Sequence, residues 1–310
     1  MKISIIGSGA MGSLYGGKLS LAGHDVVLYD VYREHVEAVR KSGLSIEEAG
    51  RGDVAVAHPG ASSDPASLEG SDVFIIFVKS TATEQAAAQL ARYAGPSTIV
   101  LTLQNGLGNE EIIRRHFGES RTAAGVTSQG ATFLGPGRIR HAGSGPTHVG
   151  MADRDNTRLS PLADALNGAG FETHVVDDVA SLVWSKLVIN VGINGLTALI
   201  GQTNGRLLEF EETGAIMADL VAEAVAVARA RGVRFTYSDP LATVRDVAAK
   251  TGANRSSMLQ DFDRHRESEI DFMNGAIVRE AAALGIAAPV NATVTRLVKT
   301  LDRIHAGQPV

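Results

Sequence analysis

The chain contains no cysteine. Disulfides, thiolate metal sites and a cysteine nucleophile are therefore excluded. It carries no excess of positive charge: 29 Lys and Arg stand against 34 Asp and Glu, for a net charge of −5. A nucleic-acid binder relying on a strong basic field does not fit that balance, nor does a polybasic membrane-surface protein. No unbroken apolar run approaches the roughly 18 residues of a membrane span. The opening stretch MKISIIGSGAMG turns glycine-rich after Ile6, too early for the apolar region of a signal peptide. A cytoplasmic protein is the expectation. The nine His show no ligand spacing such as H-E-x-x-H, so no metal is expected. Internal repeats and low-complexity tracts are also lacking.

What is present is an ordinary globular mixture, 44% hydrophobic and 20% charged, in 310 residues. That length suggests two domains of roughly 150 residues, each able to bury a core. Glycine is abundant, with 34 residues, which calls for many tight turns or close backbone approaches. The first part alternates short apolar runs with helical patterns. Strands are predicted at Lys2–Ile6, Asp25–Tyr29, Asp72–Val78 and Thr98–Leu103, and helices at Ala10–Ala22, Arg33–Lys41, Thr83–Tyr93 and Asn109–Phe117. This rhythm predicts an α/β domain with a parallel sheet covered by helices on both faces. Residues 121–150 are glycine-rich with short alternations, as in a β-ribbon returning towards the sheet. A helix at Leu159–Ala169 and a strand at Glu172–Val176 follow. Beyond Asp177–Asp178 the β signal almost stops, and helices are predicted at 179–200, 205–231, 239–250, 256–284 and 290–305. The boundary falls near Val176, giving an α/β domain at 1–176 and an all-helical domain at 177–310.

Gly7-Ser8-Gly9-Ala10-Met11-Gly12 has the form G-x-G-x-x-G, follows a strand and opens a helix. The first glycine permits the tight turn, the second lets a pyrophosphate touch the backbone, and the third lets the helix pack on the strand. The helix N-terminus offers N–H groups and a partial positive charge to phosphates. The six residues read as a dinucleotide-binding loop. Asp30 ends the second strand, where an acid accepts hydrogen bonds from ribose hydroxyls and repels a 2′-phosphate. That favours NAD over NADP. Arg33 blurs the preference, because an Arg there can accept a 2′-phosphate, and Asp30 can also be read as a solvated strand-end residue. Two later strand exits point at the same sheet edge. Lys79 has the reach for a phosphate or ribose, or is an ordinary surface Lys. Asn105 has the reach for the nicotinamide end or the substrate, or is a turn residue before Gly106.

The stretch 181–200 is apolar nearly all round, as for a buried helix. Yet Lys186, Asn190 and Asn194 recur every fourth residue, and at about 100° per residue they form, with Thr197, one narrow polar stripe. Something polar must face it, either an interhelical network or a ligand, because an unpartnered buried Lys is costly. As a pocket wall, it offers Lys186 as an acid whose pKa burial draws towards neutrality. Gly192 and Gly195 weaken this helix, tolerable if they admit close approach to the nucleotide domain or a ligand. Downstream, Asn254 and Ser257 sit at a helix start, where Ser257 is also readable as a cap. Glu269 borders an apolar stripe of Ile270, Met273, Ile277 and Leu284, and is readable as a rim carboxylate or a partner for Lys186.

These stretches resemble, nearly end to end, the ketopantoate reductase family (2-dehydropantoate 2-reductases). The motifs that carry the resemblance are GSGAMG, Val78-Lys79, Gln104-Asn105-Gly106, and His141-x3-Gly145-x-Thr147-x2-Gly150. The most specific are Trp184-x-Lys186-x3-Asn190-x3-Asn194 with Asn204-Gly205, the run Asn254 to Asp261, and Glu269-Ile270-Asp271-x2-Asn274-Gly275. The resemblance implies a Rossmann domain followed by an all-helical domain similar to the C-terminal part of 6-phosphogluconate dehydrogenase. It implies NADPH-dependent reduction of 2-dehydropantoate to (R)-pantoate, towards pantothenate and coenzyme A. By motif, Lys186 would be the general acid, with Glu269 contacting it and the substrate's hydroxyl end. Asn105, Asn190, Asn194 and Ser257 would line the substrate, joined by Asn254 and Asn274. Gly7, Gly9, Gly12, Lys79 and Asn105 would hold the cofactor. Two positions depart from the NADP-binding pattern: Asp30 stands where a basic residue is usual, and Ala82 where some members have Gln. The first also fits an NAD(H)-dependent 2-hydroxyacid dehydrogenase acting on another 2-oxo acid. A dinucleotide sensor without turnover is a third class, disfavoured by the intact Lys186 and Glu269. The expected partner is a small-molecule 2-oxo acid, with homodimer formation left open, and neither nucleic acid nor membrane.

Overall fold

The computed structural model describes residues 1–307 except Arg51 and Asp53. Two compact units emerge. One comprises Met1–Gln104 with Asn109–Val179, the other Asn105–Gly108 with Ala180–Val310.

The first unit is built on β1 (Lys2–Ile6), β2 (Asp25–Tyr29), β3 (Leu44–Glu48), β4 (Val54–Ala57), β5 (Gly60–Ser62), β6 (Val73–Ile76), β7 (Ile99–Thr102), β8 (Thr122–Thr127), β9 (Gly130–Gly135), β10 (Arg138–Gly143), β11 (Thr147–Met151) and β12 (Thr173–Val175). Eight of these form one sheet in the order β12-β11-β8-β7-β6-β1-β2-β5. Its pairings are parallel except β11 with β8. The helices are α1 (Ala10–Leu21), α2 (Arg33–Ser42), α3 (Thr83–Leu90), α4 (Asn109–Phe117) and α5 (Ser160–Gly168). Alternation along the central strands makes two apolar layers. Ile3, Ile5, Ile75 and Leu101 join Leu14 and Leu19 of α1 and Leu162 and Leu166 of α5. Ile6, Phe74, Ile76 and Val100 join Ala87 and Leu90 of α3 and Ile113 and Phe117 of α4. Burying each large apolar side chain contributes about 1.5–3 kcal/mol, which is why β6 and β7 read as continuous apolar runs.

The glycine-rich stretch 121–150 divides between two sheets. β8 and β11 extend the main sheet, whereas β9 and β10 join β3 and β4 in a second sheet of order β4-β3-β10-β9. The sequence reading left 44–62 without strands. β3 does bury Leu44 and Ile46 on alternate positions, but it spans only five residues, and Val54 and Val56 of β4 are exposed, so the alternation is too short to mark the pair.

The second unit holds α6 (Val179–Ile200), α7 (Glu211–Ala230), α8 (Pro240–Lys250), α9 (Ser257–Asp263), α10 (Asn274–Leu284) and α11 (Pro289–His305). α6 is long and apolar enough to cross a membrane by length and composition, but most of it is buried in the unit's core. Trp184, Leu187, Val188, Val191 and Leu196 pack there with Met217, Val221, Val244, Ile277 and Val294. Gly192 and Gly195 serve this packing, a correction to the expected approach to a nucleotide domain or ligand. A Cβ at Gly192 would lie 2.8 Å from Val244 Cγ1, and one at Gly195 would lie 2.7 Å from Val294 Cγ1.

The single helix expected over 256–284 is instead three elements, α9, a 3-10 turn at Ile270–Phe272, and α10. Residues 264–269 contain no apolar side chain, so a helix there has no face to bury. His265 takes φ 50°. Asp302 then captures Ser268 through its N–H (3.0 Å) and hydroxyl (2.7 Å). Glu269 consequently lies just before the short turn rather than on a long helix.

Candidate active site

The glycine loop is shaped by its own sterics. Gly7 has φ 90°, and a Cβ on it would lie 2.7 Å from Val78 N. A Cβ on Gly12 would lie 2.0 Å from Gly7 O, so only glycine lets α1 start this close to the loop. Gly9 is different. It has φ −63° as the N-cap of α1, and a Cβ there would meet no heavy atom within 4 Å. The loop is filled where it touches protein and open at Gly9. No side chain caps α1, no acid lies in its first turn, and Ser13 N–H to Gly9 O is its first bond. Ala10 and Met11 thus lie in a helix start of partial positive charge, suited to phosphate.

Asp30 is not a loose strand-end residue. Its carboxylate accepts from Ser8 N–H at 2.6 Å, Ser8 O–H at 3.1 Å and Tyr32 N–H at 2.9 Å. It is fixed beside the loop, while Arg33 is exposed at the start of α2. Lys79 is exposed at the exit of β6.

In the helical unit the polar stripe is graded. Lys186 and Asn190 are half-buried. Burial draws the Lys186 ammonium down to about 8. Asn194 is buried, and its Nδ2 donates to Ser257 Oγ at 3.4 Å. Thr197 is fully buried, with Oγ1 2.7 Å from Ser256 Oγ. The stripe therefore serves both readings. Its C-terminal half is an interhelical network, and its N-terminal half is the accessible part. Ser256, not Ser257, caps α9 by accepting from Leu259 N–H at 3.1 Å, which leaves the Ser257 hydroxyl turned to Asn194.

The loop Asn105–Gly108 sits on the turn that follows Glu269. Leu107 N–H donates to Phe272 O at 2.8 Å, and a Cβ on Gly106 (φ 90°) would strike that same oxygen at 2.5 Å. Asn105 and the buried Glu269 are thereby brought to one local structure. Asn254 is exposed, and its backbone O accepts from Asn204 N–H at 3.0 Å. Asn274 is wholly buried under α6, donating from Nδ2 to Val191 O (3.2 Å) and Asn291 Oδ1 (3.0 Å).

Comparison with known proteins adds a lineage to this geometry. Residues 3–154 match the family described as ketopantoate reductase PanE/ApbA, and residues 178–302 match its C-terminal counterpart. The chain belongs to the ketopantoate reductase family. The 2-dehydropantoate 2-reductase of Halobacterium salinarum is 36% identical over 304 residues, covering 98% of this chain and 99% of its own. That of Pyrococcus horikoshii is 34% identical, covering 99% of both. Among solved structures, a family member from Ralstonia eutropha superposes with a TM-score of 0.91 at 36% identity, covering 99% of this chain and 100% of its own. D-mandelate dehydrogenase with NADH and anilino(oxo)acetate gives 0.90 at 28% identity, covering 99% and 100%.

Sequence reasoning missed a polar clamp at the strand exits. Gln104 Nε2 donates to Val78 O (2.7 Å) and Thr83 Oγ1 (2.8 Å), Thr83 to Asn109 Oδ1 (2.9 Å), and Asn109 Nδ2 to Ser80 Oγ (3.1 Å). It ties the end of β7 to the segment that carries Lys79. It also missed Tyr237, whose hydroxyl donates to Ser185 O at 2.9 Å, beside Lys186. Burial pushes that phenol up to about 12, so it stays a donor. Only Gln104, which directly follows the run TIVLTL, had a signal in the sequence.

Proposed function

We propose that the chain is a cytoplasmic reductase converting 2-dehydropantoate to (R)-pantoate with a reduced nicotinamide dinucleotide. The observation that carries the reading is Lys186 on the accessible half of the α6 stripe, with its pKa drawn to about 8, in a chain of this family. The open backbone at Gly9, the uncapped start of α1 and the fixed carboxylate of Asp30 fit the cofactor's diphosphate and ribose. A bound reduced nicotinamide supplies hydride to C2 of the 2-oxo acid. Lys186 donates its proton to the oxygen that becomes the alkoxide and stabilises the charge developing there. Glu269 takes the substrate's hydroxyl end, and Asn105, Asn190, Asn194 and Ser257 orient the oxo acid, which supplies proximity. Lys79 adds a cation at the cofactor side.

A panel of 2-oxo acids followed by nicotinamide absorbance tests this. The expected result is highest kcat/KM with 2-dehydropantoate. The fixed Asp30 and the likeness to D-mandelate dehydrogenase support a second reading, an NAD(H)-dependent dehydrogenase of another 2-hydroxy acid. Turnover of aryl 2-oxo acids with none of 2-dehydropantoate would select it.

Asp30 also carries a prediction about cofactor choice. A 2′-phosphate held about 4 Å from a carboxylate meets roughly 1 kcal/mol of repulsion per charge pair in bulk water, and about 4 kcal/mol at protein-surface screening. A preference for NADH over NADPH of at least about tenfold is expected, equivalent to about 1.4 kcal/mol. Comparing kcat/KM for the two cofactors checks it, and a preference for NADPH would mean that Arg33 governs the ribose instead.

A further inference from the structure

The peptide joining Ser8 to Gly9 is held from inside the protein. Ser8 O accepts from the Ser13 hydroxyl at 2.8 Å. Ser13 Oγ lies 3.1 Å from His35 Nε2, and His35 Nδ1 lies 3.0 Å from Gly137 N. A backbone N–H can only donate, so Nδ1 is the acceptor and the neutral ring carries its proton on Nε2. That proton points to Ser13 Oγ, whose own hydrogen goes to Ser8 O. Every polarity in the chain Gly137 to His35 to Ser13 to Ser8 is thus determined. Ser13 and His35 are 0% and 1% exposed, so water does not substitute for them.

The consequence lies on the opposite side of the peptide. A trans peptide is planar, with C=O and N–H directed oppositely. Drawing Ser8 O inwards turns Gly9 N–H outwards, at the one fingerprint glycine with open space before it. Asp30 holds the preceding peptide by Ser8 N–H.

We infer that His35 and Ser13 are positioning residues for dinucleotide binding, orienting the Ser8–Gly9 peptide so that its N–H faces the cofactor's diphosphate. The inference rests on the cofactor reading of the loop. It makes binding dependent on a neutral His35, since a second ring proton at Nδ1 would confront Gly137 N–H. Asp30 is the charged group acting on His35, and it favours protonation. The elements packed against the ring otherwise present Ser13 from α1, Phe133 from β9 with centroids 5.2 Å apart, and the Gly137 N–H after β9. Burial outweighs Asp30 and keeps the imidazole below its usual 6.5.

The test is the NADH dissociation constant, measured by fluorescence from pH 7 to pH 5, beside Tm and kcat at saturating NADH. Ser13→Ala should raise Kd about tenfold at pH 7 with kcat within about twofold. In the unmodified chain Kd should rise as pH falls below the ordinary imidazole range. His35→Gln retains an N–H donor for Ser13 but cannot titrate, so its Kd should stay near the parent value at pH 7 and flat below. Parent-like Kd in Ser13→Ala despite a lower Tm would reduce the pair to a structural role and overturn the inference. So would a His35→Gln profile that rises like the parent's. Failure of the unmodified chain to bind any nicotinamide dinucleotide would instead overturn the cofactor reading itself.

Discussion

Replacing Lys186 with Ala should lower kcat for 2-oxo acid reduction at least about 100-fold, the usual scale of a lost general acid. The dissociation constant for the dinucleotide should stay within about twofold, because the glycine loop and Asp30 belong to the other unit. The pH profile ties the loss to proton transfer rather than to packing. A Lys at its ordinary 10.5 would hold its proton throughout the accessible range, whereas at about 8 it titrates within reach. Reduction needs the ammonium, so kcat/KM should be level near neutrality and fall about tenfold per pH unit above about 8. The reverse oxidation needs the neutral amine and should rise up to the same point. Both breaks should vanish in Lys186→Ala. Near-normal turnover in that variant, or a profile still breaking near 8, would refute the acid role. The linkage sign also follows. The folded chain favours the neutral amine, so this contribution to stability is present above 10.5 and lost as pH falls through 8. At neutral pH the charged Lys186 is a stability cost carried for catalysis, unlike Asn194 and Thr197, whose bonds hold helices together.

Much of this was readable because it depends on local chemistry. Strand, glycine turn, helix and terminal acid lie within the first 30 residues, and periodicity alone places Lys186, Asn190, Asn194 and Thr197 on one face of α6. What escaped depends on partners far along the chain. The division of the stripe into an accessible and an internal half is decided by Ser256 and Ser257, some 60 residues on. The second sheet exists because β10 pairs with β3, joining Arg138 to Ser45 across a long separation. Gly192 and Gly195 signalled a close approach, but only the fold names Val244 and Val294 as the neighbours. Asn105 follows a strand of the first unit, yet its loop belongs to the second, where Leu107 bonds to Phe272. His35 falls within the predicted helix Arg33–Lys41, and neither Ser13 nor Gly137 is recognisable as its partner from spacing.

Two alanine substitutions in the fingerprint should separate ligand contact from fold. Gly9→Ala should leave Tm within about 2 °C, since surface-like changes without new contacts lie within about 0.5 kcal/mol. Its φ of −63° suits any residue, and the added methyl meets no protein atom within 4 Å. The same methyl stands where a diphosphate must approach the backbone. The dinucleotide dissociation constant should therefore rise about 100-fold, equivalent to about 2.7 kcal/mol. Gly12→Ala inverts the pattern. Its methyl would lie 2.0 Å from Gly7 O and 3.0 Å from Ile5 Cγ2, so α1 or the loop must move even without ligand. Overpacking of that kind costs about 1–3 kcal/mol or more, and Tm should fall by several degrees in the absence of cofactor. Calorimetric binding and thermal melts on the two variants distinguish the roles. Unchanged affinity in Gly9→Ala would remove the diphosphate from this turn, because no other property of that position accounts for a glycine there: its backbone angles do not require one, and no neighbour is close enough to exclude a side chain.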